Sequence, residues 1–321
     1  MTRPEPPAEP VATGRPRVVV VAGPTASGKS ALAEALARRL GGQVVNADSV
    51  QLYGAFRILT ARPTVAAERR LPHHLYGILG PDDRCSAGRW RSLALDAVAA
   101  GHAAGRPSVL VGGSGLYLEA LLRGFSPIPC VPPSVRRDAV RRLEAIGPAA
   151  LHSELRKVDP VLAGRLEPGD RQRIVRGWEV WLATGRPLSS WQASAPAPPD
   201  LDVRRVLLRP PRNAVRAAIE ARVSGMLAAG ALDEVRAFVQ LDVPADAPVR
   251  KAHGLRPLTR HLRGELSLDA AAELTVNETR RYARRQDTWF RGRFAADHVL
   301  AHPPGVVAGE ADALAREAMA T

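Results

Sequence analysis

The chain has 321 residues, enough to bury a sizeable core and to form one large domain or two ordinary ones. Hydrophobic residues make up 45% of the chain and charged residues 24%, a balance that excludes an intrinsically disordered protein. Lysine and arginine together number 45 against 32 acidic residues, which gives a formal net charge of +13. This charge favours an acidic partner such as a nucleic acid, although an ordinary basic enzyme is the alternative.

Cysteine content and hydropathy bear on the cellular compartment. Cys85 and Cys130 form neither a disulfide framework nor a cluster with zinc spacing, which is typical of a reducing compartment. The longest apolar runs, such as residues 18–22, are far shorter than the ~20 residues of a membrane-spanning helix. Residues 1–17 are rich in proline and glutamate and lack an apolar signal core. We therefore expect a cytoplasmic protein with no membrane segment and with a mobile tail over residues 1–17.

Strand and helix patterns alternate along the first third of the chain. The continuous apolar run at 18–22 is typical of a parallel strand that is covered on both faces. Leucines at every fourth position, Leu32, Leu36 and Leu40, indicate a helix that ends at Gly41. Further strands are predicted at 43–46 and 108–111, and further helices at 86–104 and 116–122. This alternation predicts an α/β fold with a parallel sheet.

A proline-rich segment at 125–133 marks a change in the sequence pattern and a domain boundary. After it, short arginine-rich helical patterns with no strand signal predict a helical insertion over 126–198. The strand signal returns at 203–208, and helices are predicted at 213–229, 232–241 and 268–289. The predicted organisation is therefore a catalytic α/β core with C-terminal helices, formed by 18–125 and 199–321 and interrupted by the insertion.

One segment between the first strand and the first helix fits the phosphate-loop pattern G-x-x-x-x-G-K-[ST] at every position. Its glycines let backbone N–H groups wrap an anion, Lys29 supplies a point charge, and the Ser30 hydroxyl can hold Mg²⁺. The alternative is a chance match with a structural role. The pattern predicts a P-loop NTPase-like core that binds a phosphate-bearing ligand through Gly23, Pro24, Thr25, Ala26, Ser27, Gly28, Lys29 and Ser30.

The ends of the other strands bear on which phosphate compound binds. The strand at 108–111 is followed by Gly112-Gly-Ser114 and not by a metal-binding Asp, which argues against a motor ATPase but not against a small-molecule kinase. The strand at 43–46 is followed by Asp48, at the sheet edge where open α/β folds build their sites. From position alone, Asp48 is a Mg²⁺ ligand, a general base or the N-cap of the next segment.

Several motifs in one order give a more specific indication. The chain resembles the tRNA dimethylallyltransferase family over about 18–295, and its Thr60-Ala-Arg-Pro63 variant resembles the alphaproteobacterial branch. The resemblance rests on the phosphate loop, on that variant and on segments that begin at Asn46, His73, Val111, Asp170 and Thr279.

The resemblance implies transfer of a dimethylallyl group from dimethylallyl diphosphate to the exocyclic amine of the adenosine 3′-adjacent to the tRNA anticodon. It implies that the phosphate loop and Mg²⁺, held by Ser30, bind the diphosphate, and that Asp48, Thr25 and Lys29 act in catalysis. The partners are the tRNA anticodon stem-loop and the prenyl diphosphate, and a monomer is expected. The implied tRNA contacts are Asp48, Ser49, Val50, Gln51, Ser114, Arg136, Gln172, Arg173, Ile174, Val175, Arg176, Lys251, Ala252, His253, Gly254, Leu255 and Arg256.

The arginine-rich insertion agrees with an RNA partner, because its positive charge can face phosphodiester groups. Arg173 and Arg176, three residues apart, lie on one face of a predicted helix, although a solvated helix face is the alternative. The chain departs from the family pattern at Gly54 and at Ala218, where the family commonly has arginines. Two other functions stay open: a small-molecule or nucleoside kinase that uses ATP in the same loop, and a tRNA-binding module with a vestigial loop.

Overall fold

The fold is built on a parallel sheet. In the computed structural model, residues 14–194, 197–301 and 308–319 are described, and they contain the six strands of this sheet. The strands are β1 (Arg17–Ala22), β2 (Gln43–Asn46), β3 (His73–His74), β4 (Ser108–Gly112), β5 (Asp202–Leu208) and β6 (His298–Leu300). Their order in the sheet is β3-β2-β4-β1-β5-β6, and every neighbouring pair is parallel. The central strand β1 is buried from Val18 to Ala22, as its apolar run predicts, because β4 and β5 flank it and helices cover it.

The described residues form two compact units: those up to Leu121 together with those from Asp200 onward, and those within Leu122–Pro199. The first unit contains the sheet. Its helices are α1 (Lys29–Arg39), α2 (Val65–Arg70), α3 (Ala87–Ala103), α4 (Gly115–Arg123, which runs into the second unit), α9 (Arg212–Ala228), α10 (Ala231–Phe238), α11 (Leu255–Leu262), α12 (Leu268–Arg293) and α13 (Ala308–Met319), with a 3₁₀ turn at Pro248–Lys251.

The apolar face of α1 closes the core of the first unit. Leu32 and Leu36 are fully buried against Val19 and Val109 of the sheet, as the four-residue spacing predicts. The C-terminal helix α13 adds Leu314 to the same core, and Arg39 of α1 forms an ion pair with Asp312 of α13. The helix that follows the phosphate loop therefore packs against both the sheet and α13.

The second unit is helical, with α5 (Pro133–Val158), α6 (Pro160–Ala163), α7 (Arg171–Thr184) and α8 (Leu188–Ala193). Within α5 the helix is interrupted at Gly147, which has φ 79° and precedes Pro148. The left-handed conformation suits glycine, and the proline cannot continue a helical hydrogen-bond ladder. Leu151, Leu155 and Ile174 are fully buried and form the centre of the unit's own core.

Several short elements differ from the sequence-based predictions. The strands β3 and β6 and the helices α2, α8, α11 and α13 were not predicted, and β1 begins at Arg17, inside the predicted tail. The rest of that predicted tail lies mostly before residue 14, outside the described residues. Among the described residues, no helix combines the length and apolar character needed to cross a membrane.

Candidate active site

The phosphate loop leaves the end of β1 and leads directly into α1. Gly28 takes the left-handed conformation at the N-cap of α1, with φ 88°, and Ala26 has φ 63°, which is strained for a residue with a Cβ. A Cβ at Gly23 would lie only 2.8 Å from the carbonyl oxygen of Leu208. The Ser27 hydroxyl is buried and finds no hydrogen-bond partner among the described residues, so an anion oxygen in the loop would satisfy it.

Lys29 folds back over the loop. Its Nζ donates to the carbonyl oxygen of Pro24 at 3.3 Å. Burial of the ammonium lowers the pKa of Lys29 from 10.5 to about 8, while the carboxylate of Asp48 raises it and the guanidinium of Arg222 lowers it further. The loop therefore holds a lysine whose positive charge is incompletely compensated, as a site for an anion requires.

Asp48 forms a turn just beyond β2. Its Oδ1 accepts from the backbone N–H groups of Val50 at 3.0 Å and Gln51 at 3.4 Å, and its own N–H donates to Oδ1 of Asn46 at 2.8 Å. Of the three roles that position alone allowed, the capping role is therefore realised by one carboxylate oxygen. Within the described part of the chain, Oδ2 accepts no hydrogen bond, which leaves it for a substrate.

A cavity of ≈ 50 Å³ brings Asp48 together with Thr25 of the phosphate loop, Val50, His253 from the turn before α11, and Tyr282 of α12. The rings of His253 and Tyr282 pack with centroids 4.4 Å apart. Burial lowers the pKa of His253 and raises that of Tyr282, so both are uncharged at neutral pH. The cavity thus places the carboxylate of Asp48 in the same lining as two uncharged rings.

Arg222 of α9 also lines this cavity, and the sequence reasoning did not single it out. Its Nη2 donates to the carbonyl oxygen of Thr60 at 3.2 Å, and burial lowers its pKa while Asp48 raises it. Ala218, where the family commonly has an arginine, lies one helical turn before Arg222. Because residues four apart share a helix face, that spacing was the signal that could have found it.

Predicted tRNA contacts in the first unit fall into different environments. Ser49 is joined to Ser114, whose Oγ accepts from the Ser49 N–H at 2.9 Å. The side-chain amide of Gln51 is engaged internally, since it donates to the carbonyl oxygens of Thr60 and Ala61. In the last predicted stretch, Lys251 and Arg256 are exposed, His253 lines the cavity, and Ala252, Gly254 and Leu255 are buried.

Predicted tRNA contacts in the second unit lie mainly at the start of α7. Gln172 and Arg173 are exposed, as is Arg136 on α5. Arg176 is half-buried and bonds to the buried Glu179 at 2.7 Å, and Val175 packs against the core. Ile174 is fully buried in the core of the unit, so its side chain is not presented to solvent. Only part of this stretch offers side chains to a ligand.

A second, larger cavity of ≈ 1070 Å³ borders the phosphate loop at Pro24 and lies between α9 and α12. Arginines from both helices line it, including Arg212, Arg216, Arg281 and Arg284. For metals, the described residues contain no group of three or more His, Cys, Asp or Glu side chains placed to hold an ion. A Mg²⁺ ion at the phosphate loop would thus be held by a hydroxyl and by ligand oxygens.

A parallel α/β sheet, a phosphate loop and a half-buried carboxylate beside that loop define a P-loop enzyme that handles a phosphorylated substrate. The family model described as IPP transferase matches residues 51–293, and the one described as isopentenyl transferase matches residues 16–72. The chain belongs to the IPP transferase family.

Relatives with known names agree over most of the chain. A tRNA dimethylallyltransferase from Rhodospirillum centenum is 53% identical over 281 residues, covering 87% of this chain and 90% of that protein. One from Phenylobacterium zucineum is 49% identical over 280 residues, covering 87% and 91%.

Solved structures give the same result. The crystal structure of a tRNA isopentenylpyrophosphate transferase from Bacillus halodurans is 28% identical, with a TM-score of 0.66, and covers 95% of this chain and 98% of that one. A eukaryotic dimethylallyltransferase acting on tRNA is 26% identical, with a TM-score of 0.74, and covers 85% and 69%. The predicted family, the P-loop α/β fold and the activity of a tRNA prenyltransferase are confirmed, and the kinase alternative is not favoured.

Proposed function

We propose that the protein transfers the dimethylallyl group of dimethylallyl diphosphate to the exocyclic amine of the adenosine 3′-adjacent to the anticodon. The observation that carries this proposal is the cavity that is lined by both Asp48 and Thr25 of the phosphate loop. In this reaction the adenine amine attacks the prenyl carbon of the diphosphate ester. The site must therefore bind the diphosphate as an anion on one side and offer a proton acceptor to the amine on the other. Asp48 and the loop supply these two sides.

The phosphate loop holds the diphosphate in this proposal. Backbone N–H groups of the loop and the start of α1 donate to its oxygens, the Ser27 hydroxyl gains a partner, and Lys29 neutralises charge. Thr25 adds a hydroxyl donor at the side of the leaving group. Mg²⁺ fits here because the exposed Ser30 hydroxyl and diphosphate oxygens are hard oxygen ligands, and the ion would neutralise part of the departing charge.

Asp48 accepts the proton in the transfer step. A bond forms between the adenine nitrogen and the first carbon of the prenyl group, while the bond from that carbon to the diphosphate oxygen breaks. The proton of the amine passes to Oδ2 of Asp48, since Oδ1 is occupied by the turn. Before the adenine binds, Arg222 on the wall of the same cavity balances the negative charge of the Asp48 carboxylate.

The tRNA must turn its adenine out of the stack to reach the cavity, and this costs least in a single-stranded loop. We assign RNA contacts to the exposed members of the predicted set, which are Arg136, Gln172, Arg173, Lys251 and Arg256. The half-buried Ser49 and Ser114, which are bonded to each other beside Asp48, are assigned as further contacts. We also propose that the protein works as a monomer in the cytoplasm, where two free cysteines persist in reduced form.

Single-turnover transfer tests the proposal. Purified protein is mixed with labelled dimethylallyl diphosphate and unmodified anticodon stem-loop RNA, and the labelled nucleoside is located by nuclease mapping. Asp48→Asn is expected to slow transfer by about 10²- to 10⁴-fold, since Asn keeps the cap on Val50 but cannot take the proton. Asp82→Asn, at an exposed aspartate, is the matched control and should transfer at the wild-type rate.

Each alternative has its own outcome. Transfer by Asp48→Asn within about threefold of wild type would exclude Asp48 as the base. Recovery of the variant at raised Mg²⁺ concentration would instead make Asp48 a metal ligand. Transfer of phosphate from ATP, with no prenyl transfer, would replace the proposal by a kinase.

A further inference from the structure

Gln286 of α12 joins two loops of the active site. Its side chain is 5% exposed. The carbonyl oxygen Oε1 accepts from the N–H of Thr25 at 2.8 Å, and the amide nitrogen Nε2 donates to the carbonyl oxygen of Gly113 at 3.0 Å. One partner belongs to the phosphate loop and the other to the loop after β4. These partners lie 261 and 173 residues away along the chain.

The fit of this side chain is close. A Cβ at Gly113 would lie 2.1 Å from Nε2 of Gln286, so the missing side chain of the glycine makes room for the amide. Among residues of this length, only glutamine offers both an acceptor and a donor; an ionised glutamate would place a carboxylate oxygen against the oxygen of Gly113. Both bonds are buried, which makes the loss of either costly.

The connection continues from Gly113 to the turn that holds Asp48. Ser114, the next residue, donates its N–H to the carbonyl oxygen of Ala47 at 3.2 Å. The Oγ of Ser114 accepts from the N–H of Ser49 at 2.9 Å. The residues on both sides of Asp48 are therefore bonded to Ser114, and Ser114 follows the carbonyl group that Gln286 holds.

We infer that Gln286 is a positioning residue that couples the phosphate loop to the turn of Asp48. Ordering of one loop by its ligand reduces the freedom of the other, so that diphosphate raises the affinity for RNA and RNA raises the affinity for diphosphate by the same factor. The coupling rests on the proposed function, which assigns the phosphate loop to the diphosphate and Asp48 to the adenine. The inference adds that Gln286 holds the two sites in a fixed position relative to each other.

The test measures the dissociation constant of an anticodon stem-loop RNA with and without Mg²⁺ and inorganic diphosphate. For wild type the ratio is expected to be about fivefold or more. For Gln286→Met it should fall close to one, while the affinity for each ligand alone changes much less. A second variant, Gln286→Glu, is measured as well. Its matched control is Gln240→Glu, which makes the same change at an exposed glutamine.

Gln286→Glu gives a readout that a merely structural contact would not give. Its carboxylate still accepts from Thr25 but repels the oxygen of Gly113, and protonation restores a donor. Single-turnover transfer by this variant, divided by the wild-type rate at each pH, should rise by about threefold or more between pH 8 and pH 6. Gln240→Glu should show a constant ratio.

The outcomes separate the inference from the proposed function. If wild type binds both ligands and transfers the prenyl group but Gln286→Met keeps the full coupling ratio, the inference fails alone. A wild type that binds neither RNA nor diphosphate removes the proposed function and the inference with it. Should Gln286 variants fail to fold, Gly113→Ala displaces the same amide from the opposite side, and an unchanged coupling ratio there would overturn the inference.

Discussion

The lowered pKa of Lys29 predicts how the affinity for diphosphate depends on pH. The difference between the ordinary value of 10.5 and about 8 corresponds to about 3 kcal/mol of unfavourable interaction of the ammonium with its buried surroundings. A bound diphosphate supplies the missing negative charge, so its binding requires protonated Lys29 and raises the pKa again. Diphosphate should therefore bind with uptake of about half a proton at pH 8.

The expected magnitude follows from the protonated fraction. That fraction falls from about nine-tenths at pH 7 to about one-tenth at pH 9, so the dissociation constant of diphosphate should rise about tenfold over this range. Calorimetric titration in two buffers of different ionisation enthalpy measures both the affinity and the protons taken up. Lys29→Met is titrated in parallel, because the ionisation of diphosphate and Mg²⁺ is common to both proteins and cancels in the comparison.

An equal pH dependence of diphosphate affinity for wild type and Lys29→Met would refute the reasoning.

The stability of the unliganded protein gives an independent check. The unfolded chain keeps the Lys29 proton up to about pH 10.5, while the folded chain releases it near pH 8. Between these values the unfolded state binds more protons, so this residue makes the free energy of unfolding rise with pH there. Below pH 8 the contribution of Lys29 is constant.

Three further results are expected. Arg173→Ala should weaken RNA binding and reduce the slope of log affinity against log salt concentration by about one; an unchanged slope would assign Arg173 to a solvated face. Arg176→Ala should have the same effect and also lower the melting temperature, because the buried Glu179 loses its partner. Arg222→Met should slow single-turnover transfer while leaving RNA binding at the second unit intact, and equal losses in both would contradict a local role. Ile174→Ala should destabilise the protein by about 2–5 kcal/mol in chemical denaturation, and a loss below about 1 kcal/mol would contradict its place in the core.

Most of the central sheet could be predicted from sequence because its strands are buried on both faces. The apolar runs of β1, β2 and β4 mark such strands directly. The edge strands give no such signal: β3 consists of two half-buried histidines, and β6 has an exposed valine, Val299, between two half-buried residues. At an edge, the backbone partner and not the side-chain pattern decides pairing.

Only part of the active site could be predicted from sequence, and the reason is related. Residues inside a local motif, from Gly23 to Ser30, have their spacing fixed by the loop itself, so sequence shows them together. Arg222 and Gln286 reach the site from helices far along the chain. The spacing from Ala218 puts Arg222 on a shared helix face, but neither side chain's local pattern indicates which loop it meets. Their contacts depend on how α9 and α12 pack, which only the folded chain determines.

The position of β1 between β4 and β5 constrains the order of events while the chain is synthesised. Arg17 pairs with Asp202, so the strand that carries the phosphate loop gains its second neighbour only after the whole of Leu122–Pro199 has left the ribosome. Until then β1 has β4 on one side and an open hydrogen-bonding edge on the other. The inserted helices, whose core comes from one continuous stretch of chain, can pack first. A ribosome that stalls before residue 202 would thus hold a chain in which the apolar strand β1 still has one unpaired edge.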